Sequence, residues 1–168
     1  MKQMMFEFNA AMCVSCGACT VACMDQNDID PNSQAPFRHV QTIEKNKNEK
    51  VVFSNISMAC MHCSDAPCIE ACPTGCLRKD PDTGLTVYDN NKCIGCHSCA
   101  MACPFGAPAF TVQGKMTKCG GCAVRLENGL EPACVRVCPF DALKLVPAKD
   151  ELENRWERIM ERIEIALL

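Results

Sequence analysis

The spacing of cysteine constrains this chain more than any other feature, because sixteen of its seventeen cysteines fall into four quartets. Cys13, Cys16, Cys19 and Cys23 form a C-x2-C-x2-C-x3-C run. Cys60, Cys63, Cys68 and Cys72 repeat it with four residues in the middle gap and Pro73 after the last cysteine. Cys93, Cys96, Cys99 and Cys103, followed by Pro104, return to the tighter spacing. Cys119, Cys122, Cys134 and Cys138, followed by Pro139, carry eleven residues before the third cysteine. The apolar supply is thin beside this: Leu, Ile, Val and Phe total 35 of 168 residues, near the level at which hydrophobic burial alone ceases to fold a chain. Ligation has to supply part of what a core would otherwise give.

The chemistry of such quartets narrows the choice. Cysteine at this density means disulfides, zinc or iron–sulfur clusters. A disulfide framework prefers an even number of cysteines and an oxidising compartment, whereas this chain has an odd number. Zinc is closed by paired C-x2-4-C elements, and a third cysteine two residues further on is redundant for it. Soft thiolates in quartets suit [4Fe-4S] clusters, and the third motif matches the bacterial C-x2-C-x2-C-x3-C-P run without deviation. Three closely spaced cysteines wrap one corner of a cubane, while in two-cluster ferredoxins the fourth ligates the other cluster. Proline then suits a chain that changes direction, since it fixes φ and has no amide to satisfy.

The cysteines and their neighbours together resemble the four-cluster electron-transfer subunit of dimethylsulfoxide-reductase-type molybdopterin oxidoreductases, a family that includes subunits of nitrate, polysulfide and formate oxidoreductases. The resemblance covers about residues 3–152 and rests on Ala71-Cys72-Pro73-Thr74-Gly75, Asn91-Lys92-Cys93-Ile94-Gly95-Cys96, Ala102-Cys103-Pro104-Phe105-Gly106-Ala107-Pro108, Lys115-Met116-Thr117-Lys118-Cys119 and the wide gap from Cys122 to Cys134. Spacing alone leaves the pairing of motifs open, with 36, 20 and 15 residues between successive quartets. What the resemblance implies is nesting: the second and third motifs form one two-cluster module, and the first and fourth close the other. The implied ligand sets are Cys13, Cys16, Cys19 with Cys138; Cys119, Cys122, Cys134 with Cys23; Cys60, Cys63, Cys68 with Cys103; and Cys93, Cys96, Cys99 with Cys72. It also implies a catalytic molybdenum or tungsten pterin subunit as one partner and a second redox partner, either a membrane anchor subunit or a soluble carrier.

The expected fold class is α+β, two nested bacterial-ferredoxin-like modules with short hairpins and short helices. Residues 1–35 and 113–148 make one module, 36–112 the other, and 149–168 a C-terminal helix. Apolar stretches of strand length at Met4–Phe8, Phe37–Ile43, Val51–Ile56, Leu85–Tyr88, Ala109–Val112 and Leu143–Val146 are bounded by turn residues. The second and third of these read as a hairpin around Glu44–Lys50. Helices are expected to start near the fourth cysteine of each group. In the tail, Leu152, Trp156, Ile159, Met160, Ile163 and Leu167 recur at spacings of three and four, an amphipathic helix that either packs on its own domain or docks a partner through Trp156.

Several other residues invite a role. Cys76 has no place in the pattern and reads as a small buried side chain, with an alternative ligand as the competing reading. His62 and His97 stand between cluster cysteines and read as loop or supporting residues, since each motif already has four thiols. The ten methionines fit as flexible packing around bulky groups. Met24 stands where the other motifs have proline. Lys92, Lys118, Arg125 and Arg136 lie beside cluster cysteines and are either solvated or tune cluster potentials by their charge.

The function classes follow. With a net charge of −3 and no basic run, nucleic acid is not expected as a partner. No stretch approaches the roughly 20 apolar residues of a membrane span, so no direct membrane insertion is expected. The N-terminus has no apolar h-region, so a cytoplasmic location is expected, with export together with a partner subunit as the alternative. A stand-alone enzyme would need a phosphate loop, a nucleophile elbow or a nucleotide fingerprint, and none is present. The leading reading is a non-catalytic electron-transfer subunit. Beside it stand a polyferredoxin-like partner of a tungsten aldehyde oxidoreductase, hydrogenase or carbon monoxide dehydrogenase and, from another class, a structural zinc or regulatory cluster module.

Overall fold

The computed structural model describes residues 3–47 and 50–148; the expected C-terminal helix at 149–168 lies outside them. The architecture is α+β and is built of small pieces. Strand β1 (Met4–Phe8) leads into helix α1 (Ala18–Gln26), the hairpin β2 (His39–Lys47) and β3 (Lys50–Met58), and helix α2 (Pro67–Glu70). Strands β4 (Leu77–Lys79) and β5 (Thr86–Tyr88), a 3-10 turn at Asn90–Lys92 and helix α3 (Ser98–Ala102) follow. The chain then forms β6 (Ala109–Phe110), β7 (Met116–Thr117), helices α4 (Ala123–Glu127) and α5 (Ala133–Arg136), and β8 (Leu143–Pro147).

Every described sheet is a two-stranded antiparallel ribbon. Three of them are local hairpins, but β1 pairs with β8 from Met4↔Pro147 to Phe8↔Leu143, joining the two ends of the described chain. Two-stranded ribbons are marginal by themselves, and here each is backed by cysteine loops and apolar side chains. Two cores result. Phe6, Phe8, Val40 and Val135 pack around Cys19, Cys134 and Leu143, while Ile69, Tyr88 and Phe110 pack around Ala66, Cys68, Cys76, Leu77, Cys93, Cys99 and Met116. Helix α1 packs on α5, and α2 on α3. Buried thiols thus occupy positions that aliphatic residues fill in an ordinary core.

Three details differ from expectation. The helices begin at the third cysteine of each motif and not at the fourth: α1, α2, α3 and α5 each open one residue before Cys19, Cys68, Cys99 and Cys134. The fourth cysteine lies inside α1 in the first motif (Cys23) and one or two residues beyond α2, α3 and α5 in the others, because three intervening residues span about one turn. The second correction is the β2–β3 hairpin, whose ladder runs through Glu44–Lys47 to Lys50, so most of the polar stretch read as a turn is strand. Cross-strand pairs such as Glu44↔Phe53 and Lys45↔Val52 leave both faces of its far end exposed. Third, β4 and β7 carry no strong strand signal, being only 3 and 2 residues long, and the eleven residues before Cys134 contain helix α4.

The cysteine loops share one backbone device. The residue preceding the second cysteine is left-handed in all four motifs: Ser15 (φ 58°), His62 (φ 48°), Gly95 (φ 69°) and Gly121 (φ 72°). That conformation folds the chain back over its own first cysteine and turns amides toward sulfur, as where the Gly121 amide reaches Cys119 Sγ at 3.4 Å.

Candidate iron–sulfur sites

Three cavities each gather three thiols of one motif and a fourth from another. One cavity is lined by Cys13, Cys16, Cys19 and Cys138, with Phe8, Val40, Phe140 and Leu143 as apolar walls. A second is lined by Cys23, Cys119, Cys122 and Cys134, together with Phe6, Asn27 and Arg38. A third is lined by Cys72, Cys93, Cys96 and Cys99, with Cys76 beside them. The remaining thiols also gather: the Cys68 sulfur lies in the fields of Cys60 and Cys103, and the Lys79 ammonium in those of Cys63, Cys60 and Cys68. Among the described residues no three His, Cys, Asp or Glu side chains close on a single metal ion. The thiols instead line spaces larger than an ion.

Neighbouring quartets lie near one another. Helix α1 carries Cys19 into the first cavity and Cys23 into the second, and the Cys134 thiol feels Cys19 as well as Cys122. Cys119 feels Cys60. Cys68 and Cys72 stand on and just beyond α2, facing α3 with Cys99 and Cys103. The four sites therefore follow one another in the order of Cys13, Cys23, Cys60 and Cys72. Cys16 and Cys96, in the first and last of them, are the exposed cysteines; the others are buried or half-buried.

The electrostatics are those of sites made for anionic sulfur. Burial pushes the Cys119 thiol up to about 12, against the Gly121 amide and the Lys118 charge that favour its thiolate. Burial and the nearby Cys134 and Cys122 thiols raise Cys23 to about 11. Bare thiolates are thus disfavoured, and iron, whose charge deprotonates a coordinating thiol, restores the balance. At Cys72 burial is outweighed by the Leu77, Thr74 and Cys76 amides and the Thr74 hydroxyl, which bring its pKa down to about 7. The Met116 amide reaches Cys93 Sγ at 3.3 Å. Such N–H to sulfur bonds are a lever on cluster potential.

Cations flank each quartet of the second to fourth sites. Lys118 is 1% exposed; its Nζ donates to Thr86 O at 2.5 Å and to Cys119 O at 2.8 Å. Lys115 Nζ donates to Cys93 O at 2.5 Å, and Lys79 Nζ to Cys63 O. Of the four cationic residues singled out by their place beside cysteines, Lys118 alone is buried; Arg125 joins its Nε to Glu131 O and its Nη1 to Gln26 Oε1. Lys79 and Arg38 do not stand out in the sequence because they are distant along it from the groups they serve, and the Cys93 carbonyl that Lys115 bonds lies 22 residues before it. Arg38 had one signal: an arginine inside an apolar stretch of strand length. It is buried, its Nη1 donates to Ser57 O and Ser57 Oγ, and its Nε has no partner.

Both histidines support loops. The Thr86 amide donates to His62 Nδ1 at 3.0 Å, which leaves the proton on Nε2; burial and the charges of Lys118, Lys79 and Arg38 hold its pKa down to about 3. His97 stacks on Phe110 with ring centroids 3.7 Å apart. Cys76 is buried, and its thiol is pushed up to about 11 by burial and by Cys93. An orphaned buried donor at Arg38 Nε beside four thiols fits a sulfide-rich anion in that cavity, so the donor set suits [4Fe-4S] clusters.

Comparison with known proteins agrees with this chemistry. The sequence profile of the 4Fe-4S dicluster domain matches residues 51–147. The B subunit of anaerobic dimethyl sulfoxide reductase from Haemophilus influenzae is 36% identical over 166 residues, covering 93% of this chain and 79% of that protein. Its Escherichia coli K12 counterpart is 38% identical, over 89% of this chain and 76% of its own length. The thiosulfate reductase electron transfer subunit PhsB of Salmonella typhi is 39% identical, over 86% and 76%. Motifs, thiol-lined cavities and these relatives together show that the chain binds multiple [4Fe-4S] clusters and belongs to the family of iron–sulfur electron-transfer subunits that includes the B subunit of anaerobic dimethyl sulfoxide reductase.

Proposed function

We propose that the chain holds four [4Fe-4S] clusters, one per quartet, and conducts electrons between a catalytic molybdenum or tungsten pterin subunit and a second redox partner, a membrane anchor subunit or a soluble carrier. The ligand sets are Cys13, Cys16, Cys19 and Cys138; Cys23, Cys119, Cys122 and Cys134; Cys60, Cys63, Cys68 and Cys103; and Cys72, Cys93, Cys96 and Cys99. Each cluster supplies one-electron chemistry when bound. The chain's own residues fix thiolates and donate amides to sulfur. Two nested modules follow, residues 36–112 inside and 1–35 with 113–148 outside, supported by the β1–β8 pairing and by the α1–α5 and α2–α3 contacts.

The observation that carries this reading is the exposure pattern. Cys16 and Cys96 are the exposed cysteines, and they belong to the first and last sites of a continuous series. A structural or sensing role needs one cluster, whereas a buried series with an open site at each end has the form of a conductor. The chain acts without catalysis of its own. Among the described residues no helix is long and apolar enough to cross a membrane.

The Cys13 site is assigned to the catalytic side. The experiment is Cys16→Ser in the assembled complex, with a dye reducing the chain from the far end and EPR following clusters and pterin centre. Three clusters are expected to reduce while the pterin centre stays oxidised and turnover fails. Normal pterin reduction would refute the assigned order, and fewer than about sixteen iron per wild-type chain would refute the cluster count.

A further inference from the structure

Arg38 stands between the first two sites of the series and has a role that the cysteine pattern does not announce. It lies on the chain just before β2, is 3% exposed, and lines the cavity of Cys23, Cys119, Cys122 and Cys134. Its guanidinium lies 5.8 Å from the centroid of the Phe6 ring, which lines the same cavity. Nη1 donates to Ser57 O at 3.3 Å and to Ser57 Oγ at 3.1 Å. Ser57 Oγ stands 3.4 Å from Cys19 Sγ, and because its lone pair already receives the Nη1 proton, its own hydrogen is free to point at that sulfur.

The orphaned group is the telling one. Arg38 Nε is buried with no hydrogen-bond partner, and an unsatisfied guanidinium N–H in a protein interior is costly enough to require an explanation. The positive charge acts on both Cys23 and Cys134, and a side-chain hydrogen bond joins the guanidinium to the Cys134 thiol; α1 and α5 bring these two thiols into this cavity, and Nε–H remains the donor without a partner. A planar, permanently charged fork suits such a position better than an ammonium, since it directs separate N–H groups at separate acceptors.

We infer that Arg38 is a positioning and potential-setting residue for two adjacent clusters. Its Nε–H donates to sulfur of the cluster held by Cys23, Cys119, Cys122 and Cys134, and its Nη1, through Ser57 Oγ–H, supports the Cys19 thiolate of the next. This inference rests on the proposed ligand sets. A cation and an N–H donor both favour the more negative, reduced state, so Arg38 raises the potential of the second cluster directly and that of the first through one neutral hydroxyl.

Redox titration followed by EPR on anaerobically purified wild type, Arg38→Gln, Arg38→Lys and Ser57→Ala tests it, with iron and sulfide analysis on each. Arg38→Gln is expected to keep its iron while one cluster becomes at least about tenfold harder to reduce, about 59 mV for one electron. A second cluster should move by less, in the same direction. Arg38→Lys should recover part of the shift, because charge returns without the directed Nε–H. Ser57→Ala should move only the smaller of the two shifts. Unchanged potentials in Arg38→Lys and Ser57→Ala together, or loss of stability in Arg38→Gln with potentials intact, would overturn the inference. A failure of the ligand sets themselves shows separately, as missing iron in the wild type.

Discussion

Substituting Gly95 with alanine should damage the last site of the series in a way that the equivalent change at Gly17 does not. Both glycines are left-handed, Gly95 at φ +69° and Gly17 at φ +78°, so alanine costs about 1 kcal/mol at either position from backbone conformation. Their surroundings separate them. A Cβ at Gly17 meets nothing within 4 Å, whereas one at Gly95 would stand 2.5 Å from Gly114 O. That oxygen is backbone in the β6–β7 turn, held by the Gly114 amide on Thr111 O and the Lys115 carbonyl on Thr111 N. It cannot swing aside as a side chain does, and the forced shift adds about 1–3 kcal/mol. Gly95→Ala should therefore lose about 2–4 kcal/mol and Gly17→Ala about 1 kcal/mol. Anaerobic denaturant unfolding of the cluster-loaded proteins measures both, with visible absorbance and EPR reporting which cluster goes first. In Gly95→Ala the cluster of Cys93, Cys96, Cys99 and Cys72 should be the first lost. Equal losses for the two variants would refute the steric argument, since the left-handed term is common to both.

Lys118→Met should destabilise the loaded protein by about 3 kcal/mol, because Thr86 O and Cys119 O then lose their charged donor in a dry interior; a loss below about 0.5 kcal/mol in denaturant unfolding would contradict it. Acid should act through His62. Its folded pKa of about 3 lies below the ordinary value of 6.5, so the unfolded chain takes up the proton first; stability is intact above pH 6.5 and falls as pH drops toward 3, by up to about 1.4 kcal/mol per unit. His62→Asn keeps an acceptor for the Thr86 amide and tolerates a positive φ, so the unfolding difference between wild type and variant should shrink from pH 7 to pH 5. A difference independent of pH would refute the buried neutral imidazole.

Local chemistry makes the thiols, the strands at β1 and β8, and the β2–β3 hairpin legible, because period, turn residues and cysteine spacing are properties of neighbours in sequence. The tight loops are less so. Gly95 and Gly121 hint at a left-handed residue, but Ser15 and His62 adopt the same conformation with side chains that do not advertise it. Ser15 is held there by the Thr42 hydroxyl, and Cys13 O by the Asn55 amide, contacts supplied by a hairpin more than 25 residues away. Arg38, Lys79 and Lys115 are illegible for the same reason: their partners are thiols and carbonyls that only the folded chain brings near. Helix starts lie one cysteine earlier than expected, since no capping residue marks them; Gly17, His97 and Cys122 precede their helices in left-handed conformation without a side-chain cap.

The pairing of β1 with β8 also bears on how the protein comes off the ribosome. In the proposed ligand sets everything needed to complete the inner module, from Cys60 to Cys103, has been synthesised before the last partner of the first motif appears. Cys23 must wait for Cys119 to Cys134, and Cys13, Cys16 and Cys19 for Cys138, which lies 119 to 125 residues further on, the longest and entropically costliest closure among the proposed ligand sets. On these ligand sets assembly would have a direction: the thiols of the inner module are complete first, while the earliest thiols to emerge are the last to meet their partners. The β1–β8 ribbon is the latch, and until Leu143 reaches Phe8 the N-terminal quartet is the part of the nascent chain most open to oxygen.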